Sequence, residues 1–332
     1  MNDERLEGGR AMYPDFRRFG SYASSFLLLA AMLATLHFTG CGNMSPGSQL
    51  PSPTATWSPS PNDFRFQGVG AGLDATSWIS LNVGLGQDAF NNTWGSPLLI
   101  GGSCVPSGGP EDCSWFFHTF KYAPGSARDT SAVYHGGYLT DLNNFPNLTE
   151  WGDNLSAPNL VIRSLDVEPA NGVFAVAFIS SPSAGTFAPS MQRMPTSNLQ
   201  AFATSEGLQG RVVTALSLDS ATTAYVFSYG WINDTNSVYE ASVAPVTLDT
   251  IASEAQNLAS EGYILTAFGG GGTPPFGLYL VGTRIKGVAT PRTILVFSPQ
   301  TPSEDQYYAQ GYVDVAFFFD PALPTFSRIM EK

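Results

Sequence analysis

The segment GRVVTAL at residues 210–216 recurs as GYILTAF at residues 262–268, and GYVDVAF at residues 311–317 is a partial third copy. The segment AYVFS at residues 224–228 also recurs, as LYLVG at residues 278–282. Because the pieces keep the same order and nearly the same spacing, they indicate an internal repeat.

Each of the first two copies is predicted to begin with a short helix that precedes the repeated heptapeptide. In the first copy, Ser197 and Gln200 have the spacing of a capping box, and in the second copy Asp249 is the predicted N-cap. Gly210 and Gly262 follow where a left-handed residue would end each helix. Apolar residues recur at helical spacing in both copies: Leu199, Phe202 and Ala203 in the first, and Ile251, Ala255, Leu258 and Ala259 in the second.

The predicted repeat unit has the order strand, helix, strand, strand. Residues 173–179 and 238–246 have the composition of strands and are predicted to come before the two helices. Such a unit leaves a sheet face for a helix to cover, so the copies are expected to share one antiparallel or mixed sheet. This repeated region covers residues 161–332.

Residues 62–160 carry strand signals separated by Gly, Asn and Pro, with no stretch of sustained helical periodicity. In residues 114–121, large side chains alternate on both faces, which predicts a central strand. The fold class is therefore α+β, with a β-rich part followed by the repeated β-α-β-β region, and the two parts are compatible with one domain. The predicted strands are residues 64–69, 77–83, 97–100, 114–121, 132–139 and 159–165.

The charge balance of the chain argues against binding to nucleic acid. The formal net charge is −12. The first 40 residues hold four acids and four bases, which leaves 23 acids and 11 bases in the rest. A chain of that sign repels phosphate backbones and anionic headgroups.

A cationic start and an apolar run describe a secretory signal in residues 1–40. Arg17 and Arg18 precede the run FLLLAAMLATLHF at residues 26–38, which is too short for an ordinary membrane-spanning helix. The residues FTGC at 38–41 resemble the lipobox of bacterial lipoproteins, although Phe38 stands where that family usually has Leu. The resemblance implies that Cys41 is lipidated after cleavage, and that Gly42 after it favours the outer membrane if the cell has one. A plain secretory signal with a nearby cut is the alternative.

Residues 41–61 are predicted to anchor and space the folded part. The sequence from Gly42 to Pro61 is rich in Pro and Ser and nearly free of charge, a composition that forms a semi-extended tether. The predicted location is extracytoplasmic, attached to a bacterial membrane through the lipid.

Cys104 and Cys113 are the cysteines that follow Cys41. In an oxidising compartment, two thiols on either side of a Pro/Gly-rich turn are expected to form a local disulfide. Free or metal-binding thiols are the alternative.

No common catalytic signature stands out in the sequence, and no cofactor or metal site is predicted. His118 and His135, with Asp112, Asp129 or Asp141, are weak candidates for acid-base chemistry. Residues 141–152 resemble a calcium loop in oxygen spacing only, because Pro146 occupies the place that requires Gly. The glycine-rich residues 68–72 and 269–272 are interpreted as structural, the second as a hairpin.

Two functions remain as hypotheses from the sequence. The first is a non-catalytic lipoprotein that binds a protein or carbohydrate partner or serves assembly. The second is an extracytoplasmic hydrolase acting on polysaccharide or peptidoglycan. The pattern Glu261, Gly262, Tyr263 between helix and strand resembles small modules of bacterial proteins without known activity, and its residues are structural ones, so it implies no activity.

Overall fold

The structure, a computed structural model, describes a set of segments within one compact body, Trp57–Lys332. The segments are residues 73–81, 98–104, 113–122, 131–147, 149–150, 153–158, 160–180, 187–232, 234–271, 277–297, 307, 310, 312–319 and 326–332. Antiparallel sheet predominates in them and helices are few.

In these segments the strands form five three-stranded antiparallel sheets and one two-stranded ribbon. We number the sheets as units 1 to 5 in chain order. Unit 1 contains β1 (Leu73–Leu81), β2 (Leu98–Cys104) and β3 (Cys113–Tyr122). Unit 2 contains β4 (Ser131–Tyr138), the ribbon β5 (Thr149–Glu150) and β6 (Asp153–Asn154), β7 (Leu160–Glu168) and β8 (Val173–Ser180). Unit 3 contains β9 (Phe187–Pro195), β10 (Arg211–Ser220) and β11 (Thr223–Trp231). Unit 4 contains β12 (Tyr239–Val246), β13 (Ile264–Gly270) and β14 (Leu278–Ile285), and unit 5 contains β15 (Ile294–Phe297), β16 (Val313–Phe319) and β17 (Phe326–Glu331).

The α-helices of the described segments lie between the first and second large strands of their units. Helix α1 (Leu139–Leu142) follows β4, α2 (Leu199–Leu208) follows β9, and α3 (Ile251–Ser260) follows β12. Short 3₁₀ turns lie at Phe145–Asn147 and Thr196–Asn198.

All five sheets have the same strand order. The first strand pairs with the third, the third lies in the centre, and the second forms the other edge. We call the second strands, β2, β7, β10, β13 and β16, the inner strands. They contact one another in the order β2, β7, β10, β13, β16 and back to β2, which closes a ring, and β7 also contacts β13 directly.

Each inner strand carries a β-bulge near its start. The bulged residues, which the pairing register skips, are Ile100, Arg163, Thr214, Thr266 and Val315. A bulge leaves one residue without a ladder partner and increases the local twist. The same irregularity therefore occurs at the same place in all five sheets.

The apolar core lies between successive units rather than within one shared sheet. One cluster joins units 2 and 3 and includes Phe174 and Phe227. The next joins units 3 and 4 and contains Ala203 of α2. A third joins units 4 and 5 around Ala255 of α3. Each cluster thus covers sheet faces that would otherwise meet water.

The structure confirms several features that the sequence predicts. Gly210 and Gly262 end α2 and α3 with positive φ values of 71° and 85°. Residues 114–121 lie in β3, which is the central strand of its sheet. The glycines at 269–270 end β13, which pairs with β14 as a hairpin. Predicted residues 64–69 lie outside the described segments.

Other predictions were wrong for identifiable reasons. The copies do not share one sheet, because each has its own. Residues 173–179 are not the first strand of a repeat unit but belong to β8, the last strand of unit 2. The true first strand of unit 3 is β9, which sequence patterning misses because it contains Pro189 and Pro195 and three polar residues. Prolines are tolerated there because β9 is an edge strand.

The predicted caps also differ from those observed. The N-caps of α2 and α3 are Asn198 and Thr250, and neither side chain makes a capping hydrogen bond. Gln200 instead reaches the edge of β12, where its amide donates to the Ala241 carbonyl (3.0 Å) and accepts from the Val243 N–H (2.8 Å). Helix α2 therefore protects the exposed edge of the next sheet.

The closest backbone approach between inner strands predicts an intolerant glycine. A Cβ on Gly269 would lie 1.8 Å from the Leu216 carbonyl oxygen, so Gly269→Ala forces β13 away from β10. We expect a loss of more than about 3 kcal/mol in the free energy of unfolding, measured in urea. In the control Gly172→Ala the new Cβ meets nothing within 4 Å, although φ is 68°. That change should cost only about 1–2 kcal/mol. Equal costs for the two variants would contradict the predicted close packing.

Candidate functional site

The residues that the sequence singles out are dispersed. Cys41 lies outside the described segments, as do Asp112 and Asp129. Cys104 and Cys113 are direct partners in the register of β2 and β3. His118 lies in β3 of unit 1 and His135 in β4 of unit 2, so the two histidines belong to different sheets.

Asp141 and the segment after it take local structural roles. The Asp141 carboxylate accepts a hydrogen bond from the Tyr138 N–H at 3.3 Å. Residues 141–152 contain the end of α1, a 3₁₀ turn and strand β5. Among the residues that the structure describes, no group of three His, Cys, Asp or Glu side chains is arranged to hold a metal ion.

The notable polar contacts lie where one unit meets the next. The buried Ile162 N–H of unit 2 donates to the hydroxyl of Tyr229 in unit 3 at 2.9 Å. The buried Leu265 N–H of unit 4 donates to the carboxylate of Glu331 in unit 5, also at 2.9 Å. Each donor is the residue immediately before a bulge, and each acceptor is on the central strand of the following unit. We call this contact the inter-unit clasp.

The two clasps occupy equivalent register positions. Phe227 pairs with the residue that follows the bulge of β10, and Tyr229 is two residues further along β11. Ile329 pairs with the residue that follows the bulge of β16, and Glu331 is two residues further along β17. One position therefore performs the same task with a phenol in unit 3 and a carboxylate in unit 5.

Burial shapes the chemistry of both acceptors. Tyr229 is fully buried, and this desolvation raises the pKa of its phenol, which the hydrogen bond from Ile162 opposes only in part. Glu331 is also fully buried and is paired with Arg292 through the Arg292 Nε–H. A buried carboxylate needs such a partner because taking its charge out of water is costly.

The bulged residues also link different units. The Thr214 hydroxyl donates to the Ile162 carbonyl at 2.7 Å, and the buried Arg163 guanidinium donates to the Thr266 carbonyl at 3.3 Å. The Ser217 hydroxyl accepts from the Val167 N–H and donates to the Gly270 carbonyl, both at 3.1 Å. These side chains thus connect units 2, 3 and 4.

A further buried polar cluster fastens α2 to its own sheet. The Arg211 Nε–H donates to the Glu206 carboxylate at 2.6 Å, and the hydroxyl of the buried Ser228 donates to the same oxygen. Arg211 also donates to the Ser228 carbonyl at 2.9 Å. The Glu206 carboxylate therefore attaches α2 to strands β10 and β11.

The exposed apolar side chains are distributed differently. Of six large exposed apolar residues in the described segments, four are Leu208 at the end of α2, Ile232 after β11, and Ile285 and Val288 at the end of β14. Because β11 and β14 run antiparallel to the inner strands, these four lie at the end of units 3 and 4 where the inner strands begin. We call them the apolar patch.

Sequence reasoning missed both the clasps and the patch. A clasp has no fixed residue type, and its two partners are 66 or 67 residues apart. The patch had a weak signal, since Lys286 and Gly287 form a turn-like pair between two aliphatic residues.

Comparison with known proteins gives no relative. The chain matches no protein-family model, no curated protein and no solved structure. In the segments that the structure describes, no helix has the length and apolar character needed to cross a membrane.

The clasp at Tyr229 can be tested by removing one oxygen atom. Tyr229→Phe keeps the ring but leaves the buried Ile162 N–H without its acceptor. We expect a loss of about 1–3 kcal/mol in the free energy of unfolding. The control Tyr279→Phe changes a partly exposed tyrosine of β14 and should stay within about 0.5 kcal/mol of wild type. A Tyr229→Phe protein as stable as the control would show that the contact contributes nothing.

Proposed function

We propose that the protein is an extracytoplasmic lipoprotein, anchored to a bacterial membrane through Cys41, whose folded part has a non-catalytic binding or assembly role. The observation that carries the proposal is that the buried polar side chains form hydrogen bonds between units. Tyr229, Glu331, Ser217 and Arg163 all bond to another unit. Residues used in this way support a rigid scaffold more than a reaction centre.

The proposed scaffold is a repeat of β-α-β-β units. The shared strand order and the shared bulge support a repeat that includes β2 and β7 as well as the three segments that are similar in sequence. Repeated units stack because one unit alone cannot bury its apolar faces. A ring of such units presents two rims of loops, which suits binding to a protein or carbohydrate.

The hydrolase alternative lacks comparable support. It would need carboxylates or histidines that converge in a cleft. His118 and His135 lie in the sheets of different units, and Glu206 and Glu331 are paired with Arg211 and Arg292. We therefore favour the scaffold.

The strand register favours the disulfide between Cys104 and Cys113. Directly opposed residues of an antiparallel pair have Cα atoms about 4.5–5.5 Å apart. Disulfides need Cα atoms about 4.4–6.8 Å apart, and a directly opposed pair is compatible with that range. A disulfide also agrees with the proposed location, because such bonds persist in oxidising compartments.

The anchor is tested by Cys41→Ser. Without the sulfur that carries the lipid, we expect that the chain is no longer processed to a lipid-bearing form, which labelling with a radioactive fatty acid measures. Cys104→Ser is the matched control and should leave the label in place. Equal labelling of wild type and Cys41→Ser would overturn the proposed anchor.

The disulfide is tested by counting thiols. Protein isolated without reductant should expose no reactive thiol at Cys104 and Cys113, and reduction should expose both to alkylation, as read by peptide mass. Full alkylation before reduction would show that the bond is absent.

A further inference from the structure

We propose that His118 is the acceptor of the clasp that closes the ring between units 5 and 1, and that protonation of its imidazole releases this clasp. The inference is independent of the proposed lipid anchor. It follows from the strand register of the five units, from the reach of the side chains, and from the charges on the faces that meet. We call the contact between β16 and β2 the seam.

The acceptor of each observed clasp occupies one register position, which we call the clasp position. It lies on the central strand, opposite the inner-strand residue that is two places before the bulge. Tyr229 and Glu331 occupy it in units 3 and 5. In unit 1 the clasp position holds His118, which pairs with Leu98 of β2. The residues at the clasp position of units 1 to 5 are His118, Ile179, Tyr229, Thr283 and Glu331.

The length and chemistry of the side chain decide whether the clasp position can serve the neighbouring unit. The hydroxyl of Thr283 is close to its own backbone and meets the Thr266 hydroxyl of its own unit at 3.1 Å. Ile179 has no acceptor atom. A histidine ring nitrogen, in contrast, is as many bonds from Cα as the carboxylate oxygens of Glu331, which do reach the neighbouring unit. His118 therefore has both the reach and, when neutral, the acceptor nitrogen that a clasp requires.

The equivalent donor on the other side of the seam is the N–H of Asp314. In both observed clasps the donor belongs to the residue immediately before the bulge of the preceding unit, Ile162 or Leu265. In β16 that residue is Asp314, because the pairing register skips Val315. Strand β16 contacts β2 as β7 contacts β10 and as β13 contacts β16. The register therefore places a donor and an acceptor for a third clasp on the two sides of the seam.

The face of unit 1 that carries His118 is uncharged wherever the register is regular. Trp78 and Leu98 pair directly with His118 from its two sides. Asp74 is the residue that the register of β1 skips, near the start of that strand. The remaining positions of this face in the described strands hold Leu73, Thr76, Ser80, Gly101, Ser103, Ser114, Phe116, Phe120 and Tyr122.

The opposing face of unit 5 carries charges of both signs. Asp314 pairs with Met330, and Arg328 lies two residues before Met330 on the same face of β17. Asp314 and Arg328 are thus diagonal neighbours, a separation that long side chains can span, so their opposite charges offset each other. Lys332 follows β17, is exposed, and has its ammonium 5.9 Å from the centroid of the Tyr312 ring. The neutral imidazole is therefore the form that suits the seam.

Protonation changes His118 from an acceptor into a donor. A neutral imidazole has one acceptor nitrogen, whereas an imidazolium has none. The stabilisation from the clasp is therefore complete above the ordinary histidine pKa of about 6.5 and is lost as the pH falls further. The Tyr229 clasp is unaffected over this range, because burial raises the pKa of its phenol. Acid thus releases the seam and leaves the clasp between units 2 and 3 in place.

The test is amide hydrogen exchange of the full-length chain, resolved to single residues, at about pH 7.5 and about pH 5.5, on either side of the histidine pKa. The protection factor compares each amide with its intrinsic rate at the same pH, so it reports opening of the structure. His118→Phe keeps a ring without an acceptor, and His118→Gln supplies an amide oxygen that does not titrate. His135→Gln is the matched control, since it changes a histidine of β4 in unit 2.

We expect the protection factor of the Asp314 amide in wild type to be at least about tenfold lower at the acidic pH, because the buried N–H loses its acceptor. The Ile162 amide, which bonds to Tyr229, should keep its protection factor at both pH values. His135→Gln should behave as wild type. In His118→Phe the Asp314 amide should be poorly protected at both pH values, and in His118→Gln well protected at both.

Four results would overturn the proposal. The first is an Asp314 protection factor in wild type that does not change with pH, and the second is one that still falls at acidic pH in His118→Gln. Loss of Asp314 protection at neutral pH in His118→Gln is the third, because that variant retains an acceptor. The fourth is full protection in His118→Phe, which would mean that the acceptor lies elsewhere.

Discussion

A buried N–H group that precedes a bulge needs a hydrogen-bond acceptor, and at two of the five bulges a side chain of the next unit supplies it. A bulge disrupts the ladder, and a buried N–H without a partner costs as much as a lost hydrogen bond. Ile162 and Leu265 satisfy this need with side chains of the next unit, Tyr229 and Glu331. The N–H group that the bulge leaves without a ladder partner therefore bonds one sheet to the next.

Apolar burial also ties units 2 to 5 to one another. The apolar clusters lie between units 2 and 3, 3 and 4, and 4 and 5, so no sheet covers its own faces. The contact of β16 with β2 leaves neither end of the series without a neighbour.

The features that sequence could predict are those that depend on local chemistry. Gly210 and Gly262 are recognisable because the residue after a helix often needs a positive φ. The repeated heptapeptides are recognisable because an inner strand has neighbours on both faces and is therefore rich in apolar residues. Strand β9 could not be predicted, because its edge position tolerates Pro189 and Pro195 and polar residues that argue against a strand. Tyr229 and Glu331 have the same role, but a repeat search does not match them because a phenol and a carboxylate are different residue types. The residues of the apolar patch, too, lie far apart in sequence, at the ends of α2, β11 and β14.

The closed ring is the central claim, and hydrogen exchange of the backbone amides tests it most directly. Gly102→Pro removes an N–H and fixes φ within β2, so it disturbs the inner strand of unit 1. In a ring, both neighbours of that strand should exchange faster, at residues 160–168 and 313–319, while residues 211–220 change least. Faster exchange at residues 160–168 with unchanged protection at residues 313–319 would mean an open series of units and would contradict the account.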